Sequence, residues 1–310
     1  MTSALPDDHS AVGRADRKRA RLRQGLAGDR AVVAVGAHDA MSARLIEGHG
    51  FDAVWVSGFG VSVMAYGVPD LNLITMSETL DVTRRIEGVT DLPVVVDCDN
   101  GYGGLSNVVR TAVEFDRAGV AAICIEDNLF PKRNSLYQGS ARRELVETKE
   151  QARRLKAAKA AQESPSFVLI ARVEALIAGH GVAAAIERAA AYAEAGADAV
   201  LIHSKDKSLV EIEGFLEQWR ETKLSTPLVA VPTLFPDYTA DELHAKGFSM
   251  VILANQPMRA SVQAMEETLR TLRAEGKPAA TDPHIAKVDH IFDLVHTRET
   301  IEAEEADDLA

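Results

Sequence analysis

The sequence contains only two cysteines in 310 residues, Cys98 and Cys124, and both lie within apolar runs that are typical of strands. Neither their number nor their setting suits a disulfide framework, which indicates a reducing compartment. No stretch approaches the roughly 18 apolar residues of a membrane span, and the N-terminal residues lack the apolar segment of a signal peptide. We therefore expect a cytoplasmic protein that is not embedded in a membrane.

Positive charge is also scarce. The chain has 34 Lys and Arg against 46 Asp and Glu, a formal net charge of −12, and its last twelve residues, ETIEAEEADDLA, hold six acids and no base. The one basic cluster, residues 14–24, is interrupted by Ala and Leu and is typical of a surface helix. Proteins that bind nucleic acids concentrate Lys and Arg on one face, so we expect no nucleic-acid partner.

Short apolar runs are, by contrast, plentiful. Eight of them are rich in β-branched residues and bounded by turn or polar residues, at 31–36, 53–58, 93–99, 121–127, 167–174, 199–204, 228–233 and 250–255. They are continuous rather than alternating, as in strands covered on both faces, and amphipathic helical patterns separate them. Eight repeated βα units predict a closed (β/α)8 TIM-type barrel of the α/β class. An open doubly wound sheet is the alternative, although no GxGxxG motif follows the first strand.

The repeats leave a short segment of sequence at each end. We expect one barrel domain over residues 1–310, with an N-terminal helical extension at about 1–29 and a C-terminal helical, acidic tail at about 283–310. Four of the helical patterns between the strands end in a glycine suited to a helix C-cap. These glycines predict short connections from each helix to the next strand.

Polar residues follow nearly every predicted strand at its C-terminal end, where the loops of a barrel build active sites. Asp97 and Asp99 share one face of their strand, and Glu126 ends the next strand. Three convergent carboxylates raise one another's pKa unless a divalent cation binds them, and an all-oxygen set suits Mg²⁺ or Mn²⁺. Alternatively, Arg and Lys side chains satisfy these carboxylates. Further polar strand ends are Asp127, Glu174, Ser204, Thr233 and Asn255.

Donors suited to an anion follow other strands. Arg172 and His203 end the fifth and sixth, and backbone N–H groups after Ser57 and Gly58 can form an anion-binding nest. A metal on one side and anion donors on the other indicate a site for a small acid with two anionic groups. Asp70, in the loop after the second strand, suits a turn as well as a site.

Five longer motifs resemble one known family. The chain has DCDNGYG (97–103), EDNLFPKRNSL (126–136), ARVEALIAG (171–179), AGADAVLIHS (195–204) and SMVILANQPMRASV (249–262). Their order and spacing resemble the phosphoenolpyruvate mutase branch of the phosphoenolpyruvate mutase/isocitrate lyase superfamily, from about residue 30 to about residue 300. The resemblance implies a helix-swapped barrel whose last helix packs on a neighbouring subunit, and a homotetramer built as a dimer of dimers. It also implies Mg²⁺ and an α-keto or enol acid as substrate.

The same resemblance implies roles for four acids. Asp97 corresponds to the direct metal ligand of the family. Asp99, Glu126 and Asp70 correspond to acids that hold the metal's waters or line the site. Asp70 also corresponds to a residue proposed as a nucleophile toward phosphorus.

The resemblance also implies which residues bind the anionic groups of the substrate and which segment covers the site. Ser57, Gly58 and Phe59 correspond to the backbone nest, and Arg172 and His203 to the residues that bind the phosphoryl group. Residues 126–137 correspond to a gate that closes over the bound ligand and excludes water, carrying Lys132 and Asn134 to it.

The gate also separates the reactions of the superfamily. Mutases carry Asn where this chain has Asn134, whereas phosphonopyruvate hydrolases carry Thr. The C–C lyases supply a catalytic cysteine from this segment, but PKRNSL (131–136) contains neither cysteine nor histidine. One departure is Asn128, which replaces the Lys that mutases usually have and so removes a cation near the site.

These features predict a Mg²⁺-dependent phosphomutase that interconverts phosphoenolpyruvate and phosphonopyruvate, a reaction of phosphonate biosynthesis. The first alternative is phosphonopyruvate hydrolase, which releases pyruvate and phosphate. The second is an oxaloacetate-type enzyme acting on C–C bonds, and the third is a catalytically idle barrel that only binds a ligand or partner.

Overall fold

The computed structural model describes residues 11–137 and 143–307. Eight parallel strands close into a barrel in chain order, with β8 hydrogen-bonded to β1. The strands are β1 Val32–Ala37, β2 Ala53–Val56, β3 Val94–Asp97, β4 Ala122–Glu126, β5 Val168–Val173, β6 Ala199–Ile202, β7 Leu228–Ala230 and β8 Phe248–Leu253. This closed order confirms the predicted barrel and excludes the open doubly wound sheet.

Helices connect the strands and follow the last of them. They are α1 Ala11–Leu26, α2 Ala40–Gly48, α3 Gly58–Met64, α4 Met76–Glu87, α5 Leu105–Arg117, α6 Thr148–Ala160, α7 Gly181–Glu194, α8 Val210–Glu221, α9 Ala240–Lys246, α10 Gln256–Glu275, α11 Val288–Leu294 and α12 Thr297–Asp307. The glycines expected after α5 and α7, Gly119 and Gly196, have φ values of 85° and 102°, in the region that favours glycine. None of these described helices is long and apolar enough to cross a membrane.

Side chains alternate between two apolar layers along each strand, as the two-residue period of a strand requires. On β5, Val168 and Ile170 belong to the layer inside the barrel, together with Trp55 of β2. Leu169 and Ala171 belong to the layer between the strands and the surrounding helices. The β-branched composition of the strands fits this arrangement, because both faces of a barrel strand are buried.

Helix α1 contacts the N-terminal ends of the strands. Leu22 belongs to the same apolar cluster as the barrel interior. Arg19 donates to the carbonyl of Val120, just before β4, at 3.0 Å. The ammonium of Lys18 forms a buried ion pair of 2.6 Å with Glu87 at the end of α4. Burial raises the pKa of Glu87 and lowers that of Lys18, and each charge partly offsets the effect on the other.

The chain divides into two compact units, Met1–Gln256 and Pro257–Ala310. The first unit contains the whole barrel and α1. The second contains most of α10 together with α11 and α12. The organisation of residues 1–310 as a single domain stays a prediction, and residues 1–10 of the expected N-terminal extension lie outside the described residues.

We predict that Lys18→Met lowers the free energy of unfolding by about 3 kcal/mol, because the substitution leaves Glu87 buried without its cation. Urea unfolding followed by circular dichroism measures this loss. Adding Glu87→Leu removes the unpaired carboxylate and should restore part of the stability. Arg85→Met breaks an exposed pair with Asp81 and serves as a control with an effect below about 0.5 kcal/mol. A loss for Lys18→Met as small as the control's would contradict the role of this pair.

Candidate active site

A small cavity of about 60 Å³ opens at the C-terminal end of the barrel. Nine residues with a predicted site role line it: Ser57, Phe59, Asp70, Asp97, Glu126, Lys132, Asn134, Arg172 and His203. Gly58 and Asp99 lie directly behind this lining, in contact with Asp97 and Lys132 respectively. The structure therefore brings together the residues to which the resemblance assigns a site role. Of the other polar strand ends, Thr233 and Asn255 also line the cavity, whereas Asp127, Glu174 and Ser204 do not.

The alternation of side chains along each strand explains why these residues lie close together. Ile170 points into the barrel, so Arg172, two residues later on the same strand, points into its mouth. The same spacing relates Val95 to Asp97, Cys124 to Glu126, Leu201 to His203 and Trp55 to Ser57. Each polar residue is thus the continuation of an inward-facing apolar row. Glu126 and Arg172 are also register partners across β4 and β5.

Gly58, the first residue of α3, allows two carboxylates to approach the helix. A Cβ atom at this position would lie 3.2 Å from Asp97 Oδ2 and 3.2 Å from Asp99 Oδ1, which is tighter than ordinary contact. Gly58 and Phe59 begin α3, and the first N–H groups of a helix have no partner within the helix. Ser57 Oγ accepts the N–H of Gly60 at 3.1 Å. Free N–H groups and carboxylates thus meet at one place.

Lys132 of the gate lies among the acids. Its ammonium pairs with Asp70 Oδ1 at 2.7 Å and with Asp99 Oδ1. Burial raises the pKa of Asp99 to about 7, against the opposing effect of Lys132. Burial also acts to lower the pKa of Lys132, but Asp70 and Asp99 outweigh it and raise that pKa well above its usual value. The gate therefore supplies the cation that these acids need.

Asn72 joins the gate to the acids and was not singled out from the sequence. Its side chain donates to Asp99 Oδ2 at 2.9 Å, and its carbonyl oxygen accepts the backbone N–H of Lys132 at 2.6 Å. Asn72 and Asp99 have φ values of 57° and 50°, a left-handed conformation that Asn and Asp tolerate better than most residues. The preference of Asn for this conformation was the only signal in the sequence.

The donor set fits a hard divalent cation. The acids at the cavity offer only oxygen ligands, and burial raises the pKa of Glu126 to about 8, as expected for a carboxylate that lacks a sufficient counter-charge. Within residues 11–137 and 143–307, no three His, Cys, Asp or Glu side chains lie close enough to form a complete metal site. The roles implied by the resemblance, one direct ligand and acids that hold the metal's waters, require no such group of three.

The anion donors lie directly beside the acids, on the next two strands of the barrel, because Arg172 of β5 is 3.5 Å from Glu126 of β4. Arg172 Nη2 lies 3.1 Å from His203 Nδ1 and donates to Ser135 Oγ at 2.8 Å. Burial lowers the pKa of His203, which keeps the ring neutral. A guanidinium can only donate, so Nδ1 of His203 accepts the hydrogen bond from Arg172 and carries no proton. The contact of Nδ1 with Glu174 is longer, at 3.4 Å, and we therefore assign the ring proton to Nε2. Among the described residues His203 Nε2 has no partner, and it is available to a ligand.

The gate is closed in this structure by its own side chains. Asn134 Nδ2 donates to Asp70 Oδ2 at 2.7 Å. Asn128, where mutases usually have Lys, donates to Glu126 Oε1 at 3.0 Å and so binds this acid without adding a charge. Arg143, which lies outside the motif of the gate and was missed, donates to the carbonyls of Arg133, Asn134 and Tyr137 at 2.7–3.0 Å.

Comparison with known proteins identifies the relatives of this chain. The family model described as phosphoenolpyruvate phosphomutase matches residues 22–273. Phosphoenolpyruvate phosphomutase from Tetrahymena pyriformis is 40% identical over 258 residues, covering 83% of this chain and 84% of the relative. Phosphonopyruvate hydrolase from Variovorax sp. (strain Pal2) is also 40% identical, over 278 residues, covering 89% and 94%.

Similar solved structures include proteins with the same two names. The crystal structure of phosphoenolpyruvate phosphomutase from Streptomyces platensis subsp. rosaceus matches with a TM-score of 0.89 and 42% identity, covering 93% of this chain and 98% of that one. The structure of phosphonopyruvate hydrolase in complex with oxalate and Mg²⁺ matches with a TM-score of 0.86 and 38% identity, covering 94% and 99%. Both comparisons confirm the resemblance read from the five motifs.

We predict that Gly58→Ala weakens the binding of Mg²⁺ at least about tenfold, or about 1.4 kcal/mol, because the added methyl displaces the carboxylates of Asp97 and Asp99. Titration calorimetry measures the affinity. Gly48→Ala in α2 is the matched control, since its added Cβ meets no atom within 4 Å. Equal Mg²⁺ affinities in the two variants would argue against a metal at Asp97 and Asp99.

Proposed function

The chain belongs to the phosphoenolpyruvate phosphomutase family, and we propose that it is a Mg²⁺-dependent mutase that interconverts phosphoenolpyruvate and phosphonopyruvate. Its place among the enzymes of the phosphoenolpyruvate mutase/isocitrate lyase superfamily follows from the family match and the relatives. Identity does not separate the mutase from the hydrolase, because one relative of each kind is 40% identical. The choice between them rests on the chemistry of the gate.

Asn134 is the observation that supports the mutase. Its amide is held over the cavity by Asp70 and by the N–H of Leu136, which donates to Asn134 Oδ1 at 2.9 Å. An amide in this position has a second N–H hydrogen for a phosphoryl oxygen but no hydroxyl to orient a water. Threonine, as in the hydrolases, is smaller and carries a hydroxyl. A closed gate with Asn134 therefore favours transfer within the substrate over transfer to water.

The reaction is an isomerisation, so no atom enters or leaves. As phosphonopyruvate becomes phosphoenolpyruvate, the C–P bond breaks, its electron pair remains on the pyruvate enolate, and the phosphoryl group bonds to the enolate oxygen. Asp97, Asp99, Glu126 and Asp70 are the residues that would hold Mg²⁺ and its waters. The bound ion would supply electrophilic stabilisation of the negative charge that develops on oxygen.

The other side chains bind and shield the phosphoryl group. Arg172 and the Nε2–H of His203 donate to its oxygens, and the N–H groups that begin α3 bind an anionic group of the substrate. Lys132 and Asn134 orient Asp70, one on each oxygen. As a nucleophile toward phosphorus, this carboxylate would take the phosphoryl group as the C–P bond breaks and pass it to the enolate oxygen, which regenerates the free carboxylate. The closed gate keeps water from the loose, metaphosphate-like group during transfer.

Phosphonopyruvate hydrolase is the second candidate, because the relative with that activity is as similar as the mutase. A lyase that depends on a cysteine in the gate is disfavoured. Cys98 and Cys124 are both fully buried in or beside strands, and burial raises the pKa of each thiol well above its usual value. The site offers no feature that favours an oxaloacetate-type reaction.

We also propose that the protein assembles through its last long helix, as a dimer of dimers. Val262, Met265 and Leu269 lie at spacings of three and four residues on α10 and are 36%, 48% and 65% exposed. Side chains at these spacings share one face of a helix. An exposed apolar stripe of this kind is suited to packing on a second copy of the chain.

We predict that Asn134→Thr raises the release of phosphate from phosphonopyruvate relative to the formation of phosphoenolpyruvate, because the smaller hydroxyl side chain admits and orients a water. ³¹P NMR of the reaction gives the ratio of the two products. Asn134→Ala should lower mutase turnover by more than about tenfold, or about 1.4 kcal/mol of transition-state stabilisation. If both variants rearrange substrate as fast as the wild type, Asn134 does not select the reaction and the hydrolase becomes the better candidate.

We predict that removing Mg²⁺ with a chelator abolishes turnover and leaves the fold intact, because the apolar layers of the barrel do not depend on the acids at its mouth. Circular dichroism and thermal unfolding with and without EDTA test the second part. Added Mg²⁺ should restore activity. Unfolding of the metal-free protein near room temperature would instead mean that the metal is structural.

A further inference from the structure

Glu174 is a buried acid beside the cavity that has no part in the proposed chemistry. It follows β5 directly and is fully buried. Oε1 accepts the Nε–H of Arg172 at 2.6 Å, and Oε2 accepts the hydroxyl of Ser135 at 2.7 Å. The ring of His203 approaches Oε1 at 3.4 Å. Three residues of the site therefore converge on one carboxylate.

The backbone of Glu174 is fixed from behind. Its N–H donates to Asp127 Oδ1 at 2.9 Å. The other oxygen of Asp127 accepts from Arg188 at 3.0 Å and from the hydroxyl of Tyr192 at 2.8 Å, both on α7. These contacts connect Glu174 to the outer wall of the barrel, so its carboxylate has a defined position.

Ser135 connects the gate to this carboxylate. It belongs to the gate segment, and its hydroxyl donates to Glu174 while accepting from Arg172 Nη2 at 2.8 Å. Opening of the gate would remove the only donor to Glu174 Oε2 among the contacts of the described residues. A buried charged oxygen that loses its donor carries a desolvation penalty. That penalty favours the closed gate.

We propose that Glu174 is a positioning residue that latches the closed gate through Ser135 and orients Arg172, and through Arg172 the ring of His203, toward the ligand. The latch itself is independent of the reaction. Its consequence for chemistry rests on the proposed function, in which Arg172 and His203 bind the phosphoryl group and the gate excludes water. A single carboxylate then couples the closing of the gate to the orientation of the anion donors.

Hydrogen–deuterium exchange of the gate tests the latch without substrate. The backbone amide of Lys132 donates to Asn72, outside the gate, and reports its opening, whereas the amide of Leu136 donates to Asn134 within the gate and reports the order of the segment itself. Glu174→Gln and Ser135→Ala should each raise the exchange rate of these amides at least about tenfold. The double variant should exchange no faster than the faster single variant, because both substitutions break the same contact. Unchanged exchange in both single variants, or independent multiplication of the two effects, would overturn the proposal.

A matched control separates the latch from general stability. Glu87→Gln also replaces a buried, paired carboxylate by an amide, but at the opposite end of the barrel. It should lower the unfolding free energy and leave the exchange of the gate amides unchanged. If Glu174→Gln does not fold, Ser135→Ala still carries the test, since it removes only one hydroxyl. Gate exchange that rises equally in Glu87→Gln would show a global effect and overturn the proposal.

Kinetics then test the orienting role. Glu174→Gln should lower kcat more than it raises KM and should increase the fraction of phosphate among the products, because a loosened gate admits water. An unchanged kcat and an unchanged product ratio would refute the orienting role. The wild-type product ratio alone decides between mutase and hydrolase, so the proposed function and the latch can fail separately.

Discussion

The burial of several carboxylates at the mouth of an apolar barrel is the constraint on which the site depends. An isolated charge in such a place costs several kcal/mol unless a cation and hydrogen bonds compensate it. The structure supplies two cations, each shared by more than one acid. Lys132 pairs with Asp70 and Asp99, and Arg172 pairs with Glu174 and approaches Glu126 at 3.5 Å. Since Lys132 belongs to the gate, closing the site and compensating its charge are a single event.

Lys132 and Arg172 do not fully compensate the negative charge of the buried acids, and the remaining charge indicates a ligand. Asp97 completes a set of five acids at the mouth of the barrel, which exceeds the two cations that contact them. The raised pKa values of Asp99 and Glu126 have the same origin in burial. A divalent cation would relieve this excess, whereas Nε2 of His203, which has no partner among the described residues, would suit an anion. A metal and a phosphoryl acid bound side by side would meet both needs, in keeping with the proposed function.

The sequence was most informative where local patterns decide the structure. All eight strands start within two residues of their predicted positions, because continuous β-branched runs are specific for buried parallel strands. Most strands end one to three residues earlier in the structure than predicted, because their polar last residues belong to the loops of the site. The acids at the strand ends could be assigned to the site because side chains two residues apart on a strand point the same way. The gate could be identified because its motif resembles that of a known family.

Contacts between distant loops could not be predicted in this way. The pairing of Lys132 with Asp70 joins two loops that are remote in the chain, and so does the contact of Asn72 with Lys132. Arg143 and Ser135 act on the gate through carbonyls and hydroxyls that no pattern of residue types reveals. The sequence left open whether a metal or Arg and Lys side chains satisfy the carboxylates, and it did not show that Lys132 of the gate pairs directly with Asp70 and Asp99.

The central claim is that the closed gate keeps the migrating phosphoryl group away from water. Incubation of the wild-type protein with phosphonopyruvate and Mg²⁺ in ¹⁸O-labelled water, followed by ³¹P NMR and mass spectrometry of the products, tests it directly. We predict phosphoenolpyruvate whose three non-bridging phosphoryl oxygens carry no ¹⁸O, since these oxygens come from the phosphonate; label in the bridging oxygen is not diagnostic, because the C2 carbonyl of phosphonopyruvate exchanges with water in solution. Inorganic phosphate carrying one ¹⁸O atom as the main product would contradict it.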